Sequence, residues 1–216
     1  MKQMKYKALI SDVDWTLLDS EQFIFQAYLH ALEKFHLPAI TLEQLLPHMG
    51  KPIEQCYDVF APGVENMELI KVHRAFQAEH LDLAVPYPHT VETLKRLFEK
   101  GIKIAAVTTR SEQNLQKTLE ISGLMPFIEI VIPREDLKPE ELKPHPRPVL
   151  LALERLHVSP EQTISIGDAK EDIASGKSAG TKTIGVTYGS AGEKIRESNP
   201  DYVINDIEEI IPILIA

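Results

Sequence analysis

Residues 5–20 read KYKALISDVDWTLLDS. Ala8 to Ile10 form a short apolar run that looks like a strand entering a core, and Ser11, Asp12, Val13 and Asp14 follow it directly. In a parallel α/β sheet the ligand crevice lies beyond the carboxyl ends of the strands, so two acids placed just after such a run mark a candidate site. Trp15 comes next, where the chain must turn sharply. A tryptophan there calls for a φ, ψ pair open to ordinary residues and for cover over its ring.

Further apolar runs follow at Ile102 to Val107, Ile128 to Ile132, Thr163 to Ile166 and Thr183 to Val186. Most lead into a helical pattern, and that alternation predicts a parallel sheet flanked by helices. Val91, Leu94, Leu97 and Phe98 share one helical face, as do Val149, Ala152, Leu153 and Leu156. Gly101 and Gly180 stand where helix C-caps belong. From Glu21 to about Val85 the pattern changes: there is no convincing strand, only helical stripes such as Phe23, Ala27, Ala31 and Phe35, broken by prolines. A helical insert of this length predicts a smaller domain folded between two pieces of the core, with YPHT at 87–90 marking the return.

Composition narrows the function. The 216 residues, 44% hydrophobic and 25% charged, are those of a soluble globular protein. A formal net charge of −9 argues against a general nucleic-acid or anionic-membrane binder. Cys56 is the one cysteine, which excludes an internal disulfide and a thiolate metal site. The first residues lack a signal-peptide apolar segment, and no stretch approaches the ~20 apolar residues of a membrane span. The expected setting is the cytoplasm, and the sequence leaves the oligomeric state open.

Polar residues gather after four of the runs: Asp12 and Asp14; Thr108, Thr109 and Arg110; Lys143 within ELKPHP; Asp168 and Asp172 within GDAKED. Singly, Asp168 reads as a turn former or helix N-cap, Thr108 as a strand-end residue and Lys143 as a solvated loop charge. Together they amount to four carboxylates and a lysine on one rim. Clustered carboxylates raise each other's pKa, a cost tolerated when a lysine and a hard, oxygen-liganded cation such as Mg2+ sit among them.

These residues resemble the haloacid dehalogenase (HAD) superfamily of aspartyl-phosphate-forming hydrolases. DVDWT at 12–16 is similar to its DxDxT signature, Thr108 to its second-strand Thr/Ser, Lys143 to its KPxP-type lysine and GDAKED at 167–172 to its GDxxxD signature, in the family's order. The resemblance implies a Rossmann-like parallel sheet core, residues 1–17 and 86–216, with an inserted all-helical cap of the C1 type at 18–85. It places the chain nearest the phosphoglycolate phosphatase, pyrophosphatase and β-phosphoglucomutase branch. It also implies roles. Asp12 is the expected nucleophile and Asp14 the general acid and base, two side chains that alternation along an extended chain turns the same way. Mg2+ is expected on Asp12, the backbone carbonyl of Asp14 and Asp168, with Asp172 acting through water or by orienting Lys143. Thr108 is expected to donate to the phosphoryl group and Lys143 to neutralise its charge. The sequence departs from the family at Trp15 and His89, which replace glycines, and at Thr109, where asparagine is frequent.

Candidate substrate contacts are Thr109, Arg110, Trp15 and, in the insert, Lys51 of HMGKP. His73 and His80 lie seven apart on one predicted helix and read as part of a solvated face. The implied function is a Mg2+-dependent phosphatase hydrolysing a small phosphorylated metabolite, a phosphomonoester. The alternatives are a phosphomutase of the β-phosphoglucomutase type, a phosphonoacetaldehyde-type hydrolase forming a Schiff base on Lys51, and a non-enzymatic phospho-acceptor module such as a receiver, which lacks the large insert.

Overall fold

The computed structural model describes residues 5–49 and 51–215. In chain order its strands and α-helices are β1 (Ala8–Ser11), β2 (Leu18–Asp19), α1 (Glu21–Lys34), α2 (Leu42–Leu45), α3 (Ile53–Phe60), α4 (Asn66–Glu79), β3 (Val85–Pro86), α5 (Thr90–Glu99), β4 (Lys103–Val107), α6 (Glu112–Ile121), β5 (Ile130–Ile132), α7 (Arg147–Leu156), β6 (Thr163–Gly167), α8 (Lys170–Ser178), β7 (Lys182–Val186), β8 (Tyr202–Ile204) and α9 (Ile210–Ile215).

All four residues of β1 are buried, and their side chains alternate between two apolar layers. Leu9 joins Ile104, Ile164 and Ile184 on one face of the sheet, under Leu94 and Leu97 of α5, Leu115 and Leu119 of α6 and Leu214 of α9. Ala8 and Ile10 join Ala105 and Val107 on the other, under Val149, Ala152, Leu153 and Leu156 of α7. Burial on both faces is what an all-parallel sheet requires, and it explains why these strands read as continuous apolar runs. Each such Leu or Ile contributes ~1.5–3 kcal/mol of burial. Phe98, expected on the buried face of α5, is instead 52% exposed, with its ring centroid 6.1 Å from that of Phe127.

Six strands form one parallel sheet in the order β5-β4-β1-β6-β7-β8. This is the Rossmann-like α/β core the alternation predicts. Gly101 and Gly180 end their helices with φ of 80° and 84°, the left-handed conformation that glycine adopts without steric penalty.

The insert is helical. Its own core packs Tyr28, Ala31 and Leu32 of α1 against Leu45, Cys56, Tyr57 and Leu69. Two strands missing from the sequence reading, β2 and β3, pair antiparallel as Leu18↔Pro86 and Asp19↔Val85 and form the double crossing between sheet and insert. They are too short for any alternation to show. β8 likewise leaves no sequence signal, because YVI at 202–204 follows the Asn199, Pro200, Asp201 turn and is only three residues long.

Candidate active site

The adjacency of β4, β1 and β6 builds the site. Ser11 is in register with Ala106 on one side and Ile166 on the other, and the Asp12 amide continues the ladder by donating to the Ile166 carbonyl at 3.0 Å. Residues just past these three strand ends therefore converge: Asp12, Thr108 and Asp168. Thr108 and Asp168 are 3% and 4% exposed. The loop after β5 brings Lys143 into the same space. Its ammonium donates to Asp12 Oδ1 at 2.7 Å and to the Val107 carbonyl at 3.0 Å, and it lies 2.7 Å from Asp172 Oδ1.

Asp12, Asp168 and Asp172 offer oxygens that all lie within 4.8 Å of one another. Burial pushes the Asp12 carboxyl well above the ordinary carboxylate range, Lys143 offsets part of that, and Asp172 and Asp168 add to it. Burial and then Asp172 push Asp168 up to about 7. Burial works against the Lys143 charge, but Asp12 and Asp172 outweigh it and raise its pKa. Three carboxylates facing one lysine leave an excess of negative charge at a largely buried spot. A hard divalent cation with oxygen ligands fits that donor set.

Two glycines allow this crowding. A Cβ on Gly167 would lie 2.3 Å from Asp172 Cβ, and one on Gly189 would lie 2.2 Å from Asp168 Cβ and 2.5 Å from the Trp15 carbonyl oxygen. The Gly189 loop also supplies a residue the sequence reading missed, Ser190. Ser190 donates to Asp168 Oδ2 through its backbone N–H at 2.9 Å and through its hydroxyl, while Thr16 Oγ1 donates to Asp168 Oδ1 at 3.4 Å. The signal was available, since GSAG follows an apolar run as the other site segments do.

Asp14 points elsewhere. Both its oxygens accept from Arg110, which is itself buried. The carboxylate of Asp14 is thus outside the three-acid cluster, and only its backbone could serve a cation there.

Trp15 departs from expectation. Its φ is +63°, not the ordinary region. The amides of Thr16, Leu17 and Leu18 all turn back to the Val13 carbonyl, and Trp15 N–H donates to the Leu18 carbonyl at 2.7 Å. So tight a reversal needs one left-handed residue, and Trp15 supplies it. His89, the other residue standing where the resembling family has glycine, has φ +64°. In both places the glycine conformation persists without the glycine.

A cleft runs between the strand ends and the insert, bordered by Asp12, Asp14, Trp15, Thr108, Arg110 and Lys143 below and by Tyr28, Lys51 and Arg74 above. Thr109 lines it as well and is exposed. Lys51 is exposed, with its ammonium 3.2 Å from His48 Nδ1. His73 contradicts the solvated-face reading: it is 3% exposed, its Nδ1 lies 2.9 Å from the Tyr57 hydroxyl, and burial lowers its pKa to about 3, with Arg74 adding to the effect. His80 has left the helix and caps its end. No described helix is long and apolar enough to cross a membrane.

Residues 9–186 match the family model described as haloacid dehalogenase-like hydrolase. The chain is 35% identical over 214 residues to pyrophosphatase PpaX of Bacillus mycoides, covering 98% of both chains. Among solved structures it superposes on a predicted phosphoglycolate phosphatase from Haemophilus somnus with TM-score 0.86 and 25% identity, over 97% of this chain and 98% of that one. A hydrolase of the haloacid dehalogenase-like family from Streptococcus pneumoniae gives TM-score 0.87 at 21% identity, over 97% and 98%, a likeness of fold.

Proposed function

Because the chain belongs to the haloacid dehalogenase-like hydrolases, we propose that it is a Mg2+-dependent phosphatase that hydrolyses a small phosphorylated metabolite through an aspartyl-phosphate on Asp12. The observation that carries this reading is the convergence of Asp12, Lys143 and the Asp168–Asp172 pair at adjacent strand ends, with Asp14 at the same mouth.

Asp12 Oδ1 is held by Lys143, and Oδ2 has no hydrogen bond among the described residues. Oδ2 is the atom placed to attack phosphorus in line. As the bond to the leaving oxygen breaks, Asp14 gives that oxygen a proton; water then attacks the phosphorus of the aspartyl-phosphate, Asp14 takes a proton from that water, the bond from Asp12 Oδ2 to phosphorus breaks, and phosphate leaves. Lys143 neutralises charge on the phosphoryl oxygens, and the Thr108 hydroxyl donates to one of them. Asp172, 2.7 Å from Lys143, acts by orienting that lysine. Asp12, Asp168 and the Asp14 carbonyl would hold Mg2+, which supplies charge neutralisation of the phosphoryl group when bound. We take residues 18–85 as a cap that closes the cleft and, with Trp15, Thr109 and Lys51 on its lining, selects the substrate. The lone thiol, Cys56, fits a cytoplasmic setting.

A second reading is inorganic pyrophosphate as the substrate. The name of the Bacillus relative and the cations Lys51, Arg74 and Arg134 on the cleft favour it. The deciding experiment is a screen of phosphomonoesters and pyrophosphate with and without Mg2+, with acid-quench trapping of a phosphoenzyme. Isomer formation without phosphate release would make the protein a mutase instead, and borohydride trapping of an aldehyde substrate on Lys51 would make it a phosphonate hydrolase. Turnover undiminished in excess EDTA would rule out the metal assignment.

A further inference from the structure

Arg110 stands two residues beyond the β4 strand-end threonine, where a cation could reach a bound anion, but its donors are already committed. Nε donates to Asp14 Oδ2 at 2.7 Å and to Oδ1 at 3.0 Å, and Nη2 donates to Asp14 Oδ1 and, at 3.3 Å, to Ser20 Oγ. Nη1 donates to Thr118 Oγ1 at 3.0 Å, and that hydroxyl donates in turn to the Asn114 carbonyl at 2.7 Å, so the tether ends inside α6. The Phe23 ring lies 4.0 Å from the guanidinium carbon. Arg110 is 9% exposed, and of its five donors only one N–H has no acceptor among the described residues.

This arrangement holds one thing in place, the Asp14 carboxylate. Oδ1 accepts two N–H groups and Oδ2 one, which leaves Oδ2 a lone pair for the cleft. Fixed planar pairing of this kind adds directional control that a lysine cannot reproduce. Proton transfer in a phosphoryl-transfer site depends on placement to within a fraction of an ångström.

We propose that Arg110 is the positioning residue for Asp14, anchored to the core through Thr118 and to the insert through Ser20 and Phe23, and that it is not a substrate contact. The proposal rests on the reading of Asp14 as the proton-transfer group. Ser20 and Phe23 lie where the chain enters the insert, so the same contacts tie the placement of Asp14 to the position of the cap.

The test uses the full chain with Mg2+ and two generic substrates, p-nitrophenyl phosphate, whose leaving group needs little protonation, and β-glycerophosphate, whose alkoxide needs it. Arg110→Gln should lower kcat/KM on β-glycerophosphate by ~10²-fold and on p-nitrophenyl phosphate by less than ~10-fold, because kcat/KM ends at leaving-group departure and excludes the later water step, which is common to both substrates. In the Asp14→Asn background the same change should have almost no further effect, since residues acting through one another are non-additive. Thr118→Val, which removes only the core tether, should show the same pattern more weakly and decides the matter if Arg110→Gln does not fold. A raised KM with unchanged kcat, equal losses of kcat/KM on both substrates, or additive losses in the double variant would overturn the proposal. If wild-type turnover survives Asp12→Asn, the phosphatase reading itself fails and this proposal with it.

Discussion

Asp12 and Trp15 are three residues apart and test different things. Asp12 is fixed by Lys143 and crowded by Asp168 and Asp172, so Asp12→Asn should keep the fold and remove both turnover and the acid-stable, base-labile phosphoenzyme signal. Any trapped phosphoenzyme in that variant would exclude Asp12 as nucleophile. At Trp15 two effects oppose each other. Glycine would relieve the left-handed backbone, which costs an ordinary residue ~1–2 kcal/mol, but would remove a ring that is 8% exposed, and losing a buried tryptophan side chain costs ~3–5 kcal/mol. Burial wins. Trp15→Gly should destabilise by ~2 kcal/mol in urea unfolding, with Mg2+-dependent hydrolysis of p-nitrophenyl phosphate retained. A more stable variant would mean the backbone strain outweighs the packing. The ring also lines the cleft, so the ranking among larger natural phosphates should change in the same variant.

Within the insert, α1, α3 and α4 meet around His73. Its ring packs edge-on against Tyr28 at 4.6 Å between centroids, and its Nδ1 lies 2.9 Å from the Tyr57 hydroxyl. Folding therefore keeps His73 neutral: its pKa falls from 6.5 to about 3. Below pH 6.5 the unfolded chain takes up a proton that the folded chain refuses, so this residue's contribution is complete above pH 6.5 and is lost as pH falls toward 3. The slope is at most ~1.4 kcal/mol per pH unit. Asp12 and Asp168, whose carboxyls are raised, act in the opposite sense, so the quantity to read is the difference between wild type and His73→Gln at one Mg2+ concentration. The melting temperature of the variant should fall less steeply between pH 6.5 and 4. Parallel profiles would show that His73 does not titrate with unfolding.

Over the whole molecule, the site joins segments from residue 12 to residue 190, and its acids are held together only by the completed sheet. Relief of the crowding among Asp12, Asp168 and Asp172 should stabilise the fold globally, because a ligand that binds only the native state shifts unfolding by mass action. Mg2+ should raise the melting temperature of the wild type, and Asp168→Ala should abolish that rise. An equal rise in the variant would place the cation elsewhere.

The strand ends, and the residues standing on them, can be read from local sequence. β1, β4, β6 and β7 are buried on both faces, which leaves continuous apolar runs that any reader can find, and the acids after them are local facts of the chain. The helical insert was legible too, because its stripes repeat over whole turns. The rest depends on contacts between segments far apart in the chain. Arg110 meets Asp14 across 96 positions, Ser190 meets Asp168 across 22, and neither partner carries a mark of the other. The ribbon of β2 and β3 is two residues wide on each side, below the length at which alternation exists. Trp15 takes a left-handed φ because three amides must reach one carbonyl, a demand set by the turn and not by the tryptophan. Periodicity and motif spacing record what a residue's near neighbours require; hydrogen bonds across the sheet and at the entry to the insert are made only when distant segments close on one another.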